Sequence, residues 1–292
     1  METGQKRKLL VADSGSTKTA WMVVDMVNGS VQNSLPLFTQ GLNPYQQNEE
    51  EMEYILSQEL LPNLNEDDVT HVFFYGAGCT SDKVSLVASA LRRTIASNAR
   101  ICVGSDMLGA AKAMAQKQEA VVCILGTGAN SCLYDGNCIV ANVPPLGYVL
   151  GDEGSGAYIG KRLVADCLKG QFSKEISDMF FAETHLTPSA VIQKTYREAM
   201  PNRFLASLSP FCARHREMKE IKLFLADCFM QFVRRNVLLY ERPDLPVHFV
   251  GSVAWFYRDE VRLAVEQEGL KMGEVCQAPL ERLTAYYTTH LS

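Results

Sequence analysis

Leu9-Leu10-Val11-Ala12-Asp13-Ser14-Gly15-Ser16-Thr17-Lys18-Thr19-Ala20-Trp21-Met22-Val23-Val24 lies near the N-terminus of a 292-residue chain. Two apolar runs, 9–12 and 20–26, flank seven small or polar residues, the pattern of two strands joined by a small-residue hairpin. Asn28-Gly29 then marks a tight turn into a third strand over 31–38. The same order returns further on: strand 120–125, loop Gly126-Thr127-Gly128-Ala129-Asn130, strand 131–134, turn Asp135-Gly136 and strand 138–143. After the first hairpin come helices over 49–61, 81–96 and 107–116, with strands 71–75 and 100–104 between them. After the second come a helix over 155–168, a mostly helical stretch 171–241, a strand 247–250 and a helix 258–268. A hairpin opening followed by α/β units, occurring twice, predicts an α/β protein of two similar lobes with a cleft between them. The joint falls near residue 118, giving lobes 1–118 and 119–277, with a C-terminal helix over 278–292 packing back on the first.

Composition sets the outer limits. Hydrophobic residues make up 47% and charged residues 21%, as in an ordinary globular protein. A chain of this length buries roughly three quarters of the surface it exposes unfolded, so it needs neither disulfides nor a structural metal. The net charge of −5 lacks the basic excess of a phosphate-backbone binder, which argues against nucleic acid as a partner. The nine cysteines contain no C-x-x-C pair and several sit in apolar runs, so they read as reduced thiols packed as small hydrophobes in the cytoplasm. Five scattered histidines give no zinc spacing. The apolar run 9–12 is too short for a signal peptide or a membrane span. Lys6–Lys8 reads as a solvated arm and His215, between Arg214 and Arg216, as a solvated helix residue. Phe73–Tyr75 and the Tyr286-Tyr287 pair read as packing aromatics.

Five segments carry chemistry. In the first loop, backbone N–H groups, the hydroxyls of Ser14, Ser16, Thr17 and Thr19 and the Lys18 ammonium suit phosphate oxygens, while Asp13 suits a hydrated Mg²⁺. The same residues also fit a plain polar hairpin. The second loop is no dinucleotide fingerprint, because a strand rather than a helix follows its glycines. Paired with the first, it could grip a polyphosphate. In Gly147-Tyr148-Val149-Leu150-Gly151-Asp152-Glu153-Gly154-Ser155-Gly156, glycines permit close approach to a ligand and the following helix offers N–H donors, so Asp152 could bind sugar hydroxyls. An acidic N-cap would explain the acid but not the glycines. Asp106 ends a strand, where ligands of α/β folds bind, and suits either a proton acceptor or a helix N-cap. Gly251-Ser252 follows the strand 247–250 and suits a nucleotide base or ribose.

Taken in order, these loops resemble the superfamily of acetate and sugar kinases, heat-shock proteins and actin. Within it they resemble the BadF/BadG/BcrA/BcrD ATPases, and among these the N-acetylglucosamine kinase branch. Residues 13–19 match the first phosphate motif, 125–130 the second and 250–253 the adenosine motif. Gly151-Asp152-Glu153-Gly154-Ser155 matches the signature of the hexosamine kinases. The resemblance, over about residues 9–255, implies two actin-like (ribonuclease H-like) lobes with an ATP and sugar cleft, and transfer of the ATP γ-phosphoryl to a hexosamine 6-hydroxyl. Asp106 would be the base. Asp13 would hold Mg²⁺ through water. Gly15, Ser16, Thr17, Lys18, Thr19, Gly126, Thr127, Gly128, Gly251 and Ser252 would bind ATP. Asn43, Gly78, Thr127, Asn130, Gly147, Asp152 and Gly156 would join Asp106 around the sugar. The partners implied are a small-molecule sugar and ATP, with no nucleic acid and no membrane; a homodimer is compatible with this. A BadF-type activator of a partner enzyme and a non-catalytic sugar sensor are the alternatives. Leu146 stands where relatives usually have Trp, Cys79 where they commonly show a polar or acidic residue, and 278–283 lacks their glycine pair.

Overall fold

The computed structural model describes residues 6–15, 17–64, 69–95 and 98–291. Two compact units emerge: Met1–Lys117 with Gly136–Cys138 and Ala278–Ser292, and Gln118–Asp135 with Ile139–Gln277.

Unit 1 comprises β1 (Lys6–Ser14), β2 (Lys18–Val27), β3 (Ser30–Gln40), α1 (Glu49–Ile55), β4 (Val69–Gly76), α2 (Val84–Thr94), β5 (Arg100–Ser105) and α3 (Asp106–Ala115). Unit 2 comprises β6 (Glu119–Leu125), β7 (Ala129–Asp135), β8 (Ile139–Ala141), α4 (Gly147–Leu150), α5 (Gly156–Leu168), α6 (Lys174–Thr184), α7 (Pro188–Tyr196), α8 (Pro201–Ala206), α9 (Pro210–Arg214), α10 (Lys219–Phe232), β9 (Pro246–Val250), α11 (Ser252–Phe256), α12 (Arg258–Gln267) and β10 (Lys271–Cys276). The last helix, α13 (Leu280–His290), returns to unit 1.

The unit 1 sheet has the order β3-β2-β1-β4-β5, antiparallel across its hairpins and parallel from β1 through β4 to β5. Residues 9–12 of β1 are buried on both faces, which is why they read as an unbroken apolar run rather than an alternating one. On one face Leu10, Ala12, Val72 and Phe74 pack with Met52, Ile55, Val87 and Leu91 of α1 and α2. On the other, Leu9, Val11, Phe73 and Tyr75 pack with Ala113, Leu283 and Tyr287 of α3 and α13. The Phe73 and Tyr287 rings stack with centroids 3.6 Å apart, and the Tyr75 and Tyr287 hydroxyls are hydrogen-bonded, so these aromatics are packing residues as expected. Lys6–Lys8 departs from expectation. These residues form the first rungs of β1 opposite Val27, Met26 and Asp25, because backbone pairing claims them before solvent does.

The unit 2 sheet runs β10-β9-β6-β7-β8 and repeats the same plan: a three-stranded antiparallel meander from the first strand, then parallel neighbours. The fold class is therefore the expected one. Strand β10 was not expected. None of its residues is buried, so no apolar run betrays it. Six of the nine cysteines are buried as expected, but Cys102 and Cys138 are exposed. Among the described residues no helix is long and apolar enough to cross a membrane.

Close packing of α5 on α8 depends on Gly160, whose added Cβ would fall on the Leu205 carbonyl. Gly160→Ala is expected to destabilise the protein by ~1–3 kcal/mol, the usual range for overpacking a filled interior. Urea unfolding of unit 2 reads this directly; an unchanged midpoint would show that the two helices do not meet there.

Candidate active site

At the carboxyl edge of unit 1, β1, β4 and β5 end at one level: Ser14 pairs with Gly76, and Gly76 with Ser105. Such an edge is where α/β sheets bind ligands, because helix starts and loop amides converge there. Asp13 is the penultimate residue of β1 and Asp106 the first of α3. The N-cap of α3 is Ser105, whose hydroxyl accepts the Leu108 N–H at 3.2 Å, so capping does not explain Asp106. Its Oδ1 accepts the neighbouring Met107 N–H at 2.8 Å instead. Burial raises the Asp106 pKa above the ordinary carboxylate range, against the pull of its backbone hydrogen bonds. Burial, and then the Asp106 charge, push Asp13 up to about 7. Two carboxylates that resist ionising together would concentrate negative charge when both ionise, which a divalent cation would offset, so the pair fits Mg²⁺. Cys79 lies beside them, and burial and the Asp106 charge push its thiol up to about 12, which keeps it an inert filler.

The loop after β1 is only partly open. Gly15 donates its N–H to the Lys18 carbonyl at 3.0 Å, closing the turn. Thr17 and Lys18 are exposed, and the Lys18 ammonium sits 3.5 Å from the Phe38 ring centroid. Ser16 lies outside the described residues. Thr19 is fully buried, contrary to its expected place among the phosphate ligands. Its hydroxyl donates to the Gln40 carbonyl at 3.1 Å and lies 2.7 Å from the Ser14 hydroxyl. The Leu42 N–H, in turn, is within 3.1 Å of Ser14 Oγ. This buried knot fixes the segment that carries Asn43. The Asn43 side chain caps its own turn, accepting the Tyr45 N–H at 3.0 Å. Gly78, with φ +79°, lies against it, so that an added Cβ would collide with Asn43 Oδ1. Asn43 and Gly78, far apart in sequence, are thus brought together beside the carboxylate pair's edge.

In unit 2, Asp152 is buried with φ +55°, and its Oδ1 accepts the Ala129 N–H at 3.2 Å. The N-cap of α5 is Ser155, not an acid, and its hydroxyl accepts the Tyr158 N–H at 3.1 Å. The donors expected to be free at this helix start are taken: Gly156 N–H reaches the Gly126 carbonyl at 2.9 Å and Ala157 N–H the Thr127 carbonyl at 3.1 Å. They tie the glycine hairpin to α5. Burial raises the Asp152 pKa, the Ala129 N–H opposes this, and the Glu153 charge adds to it. Glu153 is itself buried and paired with Arg235 at 2.7 Å. Asn130 Oδ1 accepts the Ser131 N–H and the Asn142 amide, both at 2.9 Å. Gly147, with φ +71°, is exposed in α4, a turn absent from the sequence expectation.

A cavity of about 450 Å³ opens in the same unit, and Gly126, Thr127 and Ser252, three of the residues expected to bind ATP, border it. Gly251, the residue before Ser252, is not among the lining residues; its φ is +117°, and a side chain there would strike the Leu125 carbonyl. Gly156 lines this cavity, held there by its bond to Gly126, whereas an added Cβ at Gly128 would lie 3.1 Å from Asp152 Oδ2. Pro210, Ala213, Arg214 and Phe256 also line it, and none of them was expected; no local pattern marks them. His215 is half-buried, and its Nε2 lies 2.5 Å from Glu183 Oε1 in a pair open to solvent where α6 meets the end of α9.

No protein-family model matches the chain, and no curated protein matches it by sequence. Among solved structures, a "Putative N-acetylglucosamine Kinase" from Porphyromonas gingivalis is 43% identical with a TM-score of 0.90, covering 97% of this chain and 100% of that one. A second protein so described, from Chromobacterium violaceum, is 17% identical with a TM-score of 0.71, covering 97% and 98%. A ROK family glucokinase from Streptomyces griseus, solved with glucose and AMPPNP, is 13% identical with a TM-score of 0.57 over 98% and 99% of the two chains. The last two show likeness of fold alone.

The Asp13 carboxyl carries a testable stability signature. Its folded pKa of about 7 exceeds the ordinary 3.8, so the folded state holds a proton that the unfolded state has released between those values. Stability therefore falls as pH rises from about 4 to about 7. Asp13→Asn is expected to raise apo stability at pH 8 by ~1–2 kcal/mol after allowance for solvent screening, and to leave it unchanged near pH 4. Thermal melts at the two pH values read this; equal gains at both would show that charge is not the cause.

Proposed function

The chain belongs to the N-acetylglucosamine kinase-like family within the BadF/BadG/BcrA/BcrD ATPases, and on that premise we propose that it transfers the γ-phosphoryl of ATP to the 6-hydroxyl of N-acetylglucosamine. The single observation that carries the reading is the carboxylate pair Asp13 and Asp106 at the edge shared by β1, β4 and β5, beside Asn43 and Gly78. It is the arrangement phosphoryl transfer requires: one carboxylate to take a proton, another to hold a cation.

Asp106 is the base. Burial raises its proton affinity, which suits it to accept the 6-hydroxyl proton as the oxygen attacks phosphorus. Asp13 would hold Mg²⁺ through water, and the ion would offset charge on the ATP phosphates. Asn43 and the bare backbone at Gly78 take one edge of the sugar. Asp152, held in its left-handed conformation by Ala129 and the Pro145 carbonyl, takes paired hydroxyls, with Asn130, Thr127 and Gly147 nearby in sequence or turn. The cavity bordered by Gly156, Ser252 and Phe256 takes the nucleoside, and Gly126 and Thr127 lead from it toward the phosphates. Thr17 and Lys18, exposed in the loop after β1, suit phosphate oxygens. Lys18 first leaves the Phe38 ring, which costs about 0.5–1 kcal/mol at an exposed site, far less than a phosphate contact returns.

A coupled ADP-release assay over glucose, glucosamine, N-acetylglucosamine and N-acetylmannosamine tests the reading. N-acetylglucosamine is expected to give the highest kcat/KM. Asp106→Asn is expected to lower kcat about 10²–10⁴-fold with little change in sugar KM, the scale of a lost general base. Turnover near wild type in that variant would remove Asp106 from its role, and no sugar-dependent ADP release would remove the kinase.

A further inference from the structure

The basic run Arg214-His215-Arg216 takes no part in the chemistry above, yet it holds two walls of the unit 2 cavity. At the end of α9, Arg214 donates to Glu183 Oε2 through Nη2 at 2.7 Å and Nε at 3.2 Å. Glu183 Oε1 meets His215 Nε2 at 2.5 Å, and the His215 ring lies 4.5 Å from the Phe211 ring. The Arg214 and His215 partners hold the Glu183 carboxyl below its ordinary range. Arg216 turns to the opposite wall, donating to the Phe256 carbonyl at 2.5 Å and approaching Glu260 at 3.6 Å.

Among the described residues lining the cavity, Arg214 is the one charged side chain; the rest are glycines, apolar residues and hydroxyls. Its pairing with Glu183 is open to solvent, and the Arg214 side chain is 55% exposed. It presents a planar guanidinium fixed in orientation by two bonds, with one nitrogen uncommitted to Glu183. A flat, oriented cation in an apolar wall suits stacking on, or donation to, a neutral heteroaromatic base.

Resting on the kinase reading for the identity of the nucleotide, we propose that Arg214, oriented by Glu183, is the residue of this chain that recognises the purine base and sets nucleotide preference. The phosphates are bound elsewhere, so the effect of Arg214 is the same however many phosphates the ligand carries.

Calorimetry with AMP, ADP, ATP and CTP on the full chain tests this. Arg214→Ala is expected to weaken AMP, ADP and ATP by a common factor of about 3, the scale of a solvent-exposed cation–π contact, and to narrow the preference for ATP over CTP. Arg214→Lys keeps the charge but not the plane and is expected to bind no better than Arg214→Ala. Glu183→Gln is expected to fall between these and wild type, with KM for N-acetylglucosamine unchanged in all three. Melting curves confirm that each variant is folded, and Arg214→Lys guards against loss of packing in the alanine variant. Wild-type affinity in a folded Arg214→Ala protein would overturn the proposal. So would a loss confined to ADP and ATP and restored by lysine, which marks a phosphate contact. If the wild type binds ATP but phosphorylates no sugar, the kinase reading fails while base recognition by Arg214 stands.

Discussion

Three parallel strands ending at one level are the constraint on which the chemistry of unit 1 depends. Because Ser14, Gly76 and Ser105 stand opposite one another, the residues just beyond or before them are delivered to one edge without any loop having to find its place. Asp13 and Asp106 arrive there as a consequence of register, and their mutual repulsion follows from that placement. A one-residue slip of β1 would turn Asp13 to the opposite face and dissolve the pair. The site is therefore as rigid as the sheet, and its strain is electrostatic rather than conformational. The buried knot of Ser14, Thr19 and Leu42 extends that rigidity to Asn43, which has no strand of its own to hold it.

Unit 2 solves the same problem differently. Its glycine hairpin is fixed by helix amides: the first N–H groups of α5 bind the carbonyls of Gly126 and Thr127. These donors would otherwise attract an anion. Spending them on the loop makes the helix start a scaffold for the hairpin rather than an open set of donors. The same packing accounts for two glycines. Gly156 must be bare because it presses on the hairpin and on Ala206, and Gly128 must be bare because the Asp152 carboxylate lies over it.

What could be read in the sequence follows from how local each signal is. Both hairpins were legible because their turns are written in contiguous small residues between apolar runs, and the repeated strand order followed from them. The chemical residues Asp13, Asp106 and Asp152 stood out because acids and glycines sit where apolar residues would pack. Thr19 misled because a hydroxyl in a polar loop looks the same whether it faces solvent or donates to the Gln40 carbonyl. Strand β10 was invisible because an edge strand with no buried residue has no hydrophobic period.

The Arg214-His215-Arg216 run marks the limit most sharply. Read locally, three cationic or titratable residues in a row are a solvated surface, and that is the ordinary outcome. Here the partner, Glu183, comes from a different helix about 30 residues upstream, and the opposing carbonyl of Phe256 from one about 40 residues downstream. A charged run becomes structural only when the fold supplies opposite charge from outside its own element, and no periodicity within the run encodes that supply. The same reasoning separates the two kinds of polar residue in this protein. Those proposed to act on ligands sit at strand ends and turns, where backbone geometry announces them. Those that shape the cavity do so through long-range pairs, and only the assembled unit 2 identifies them.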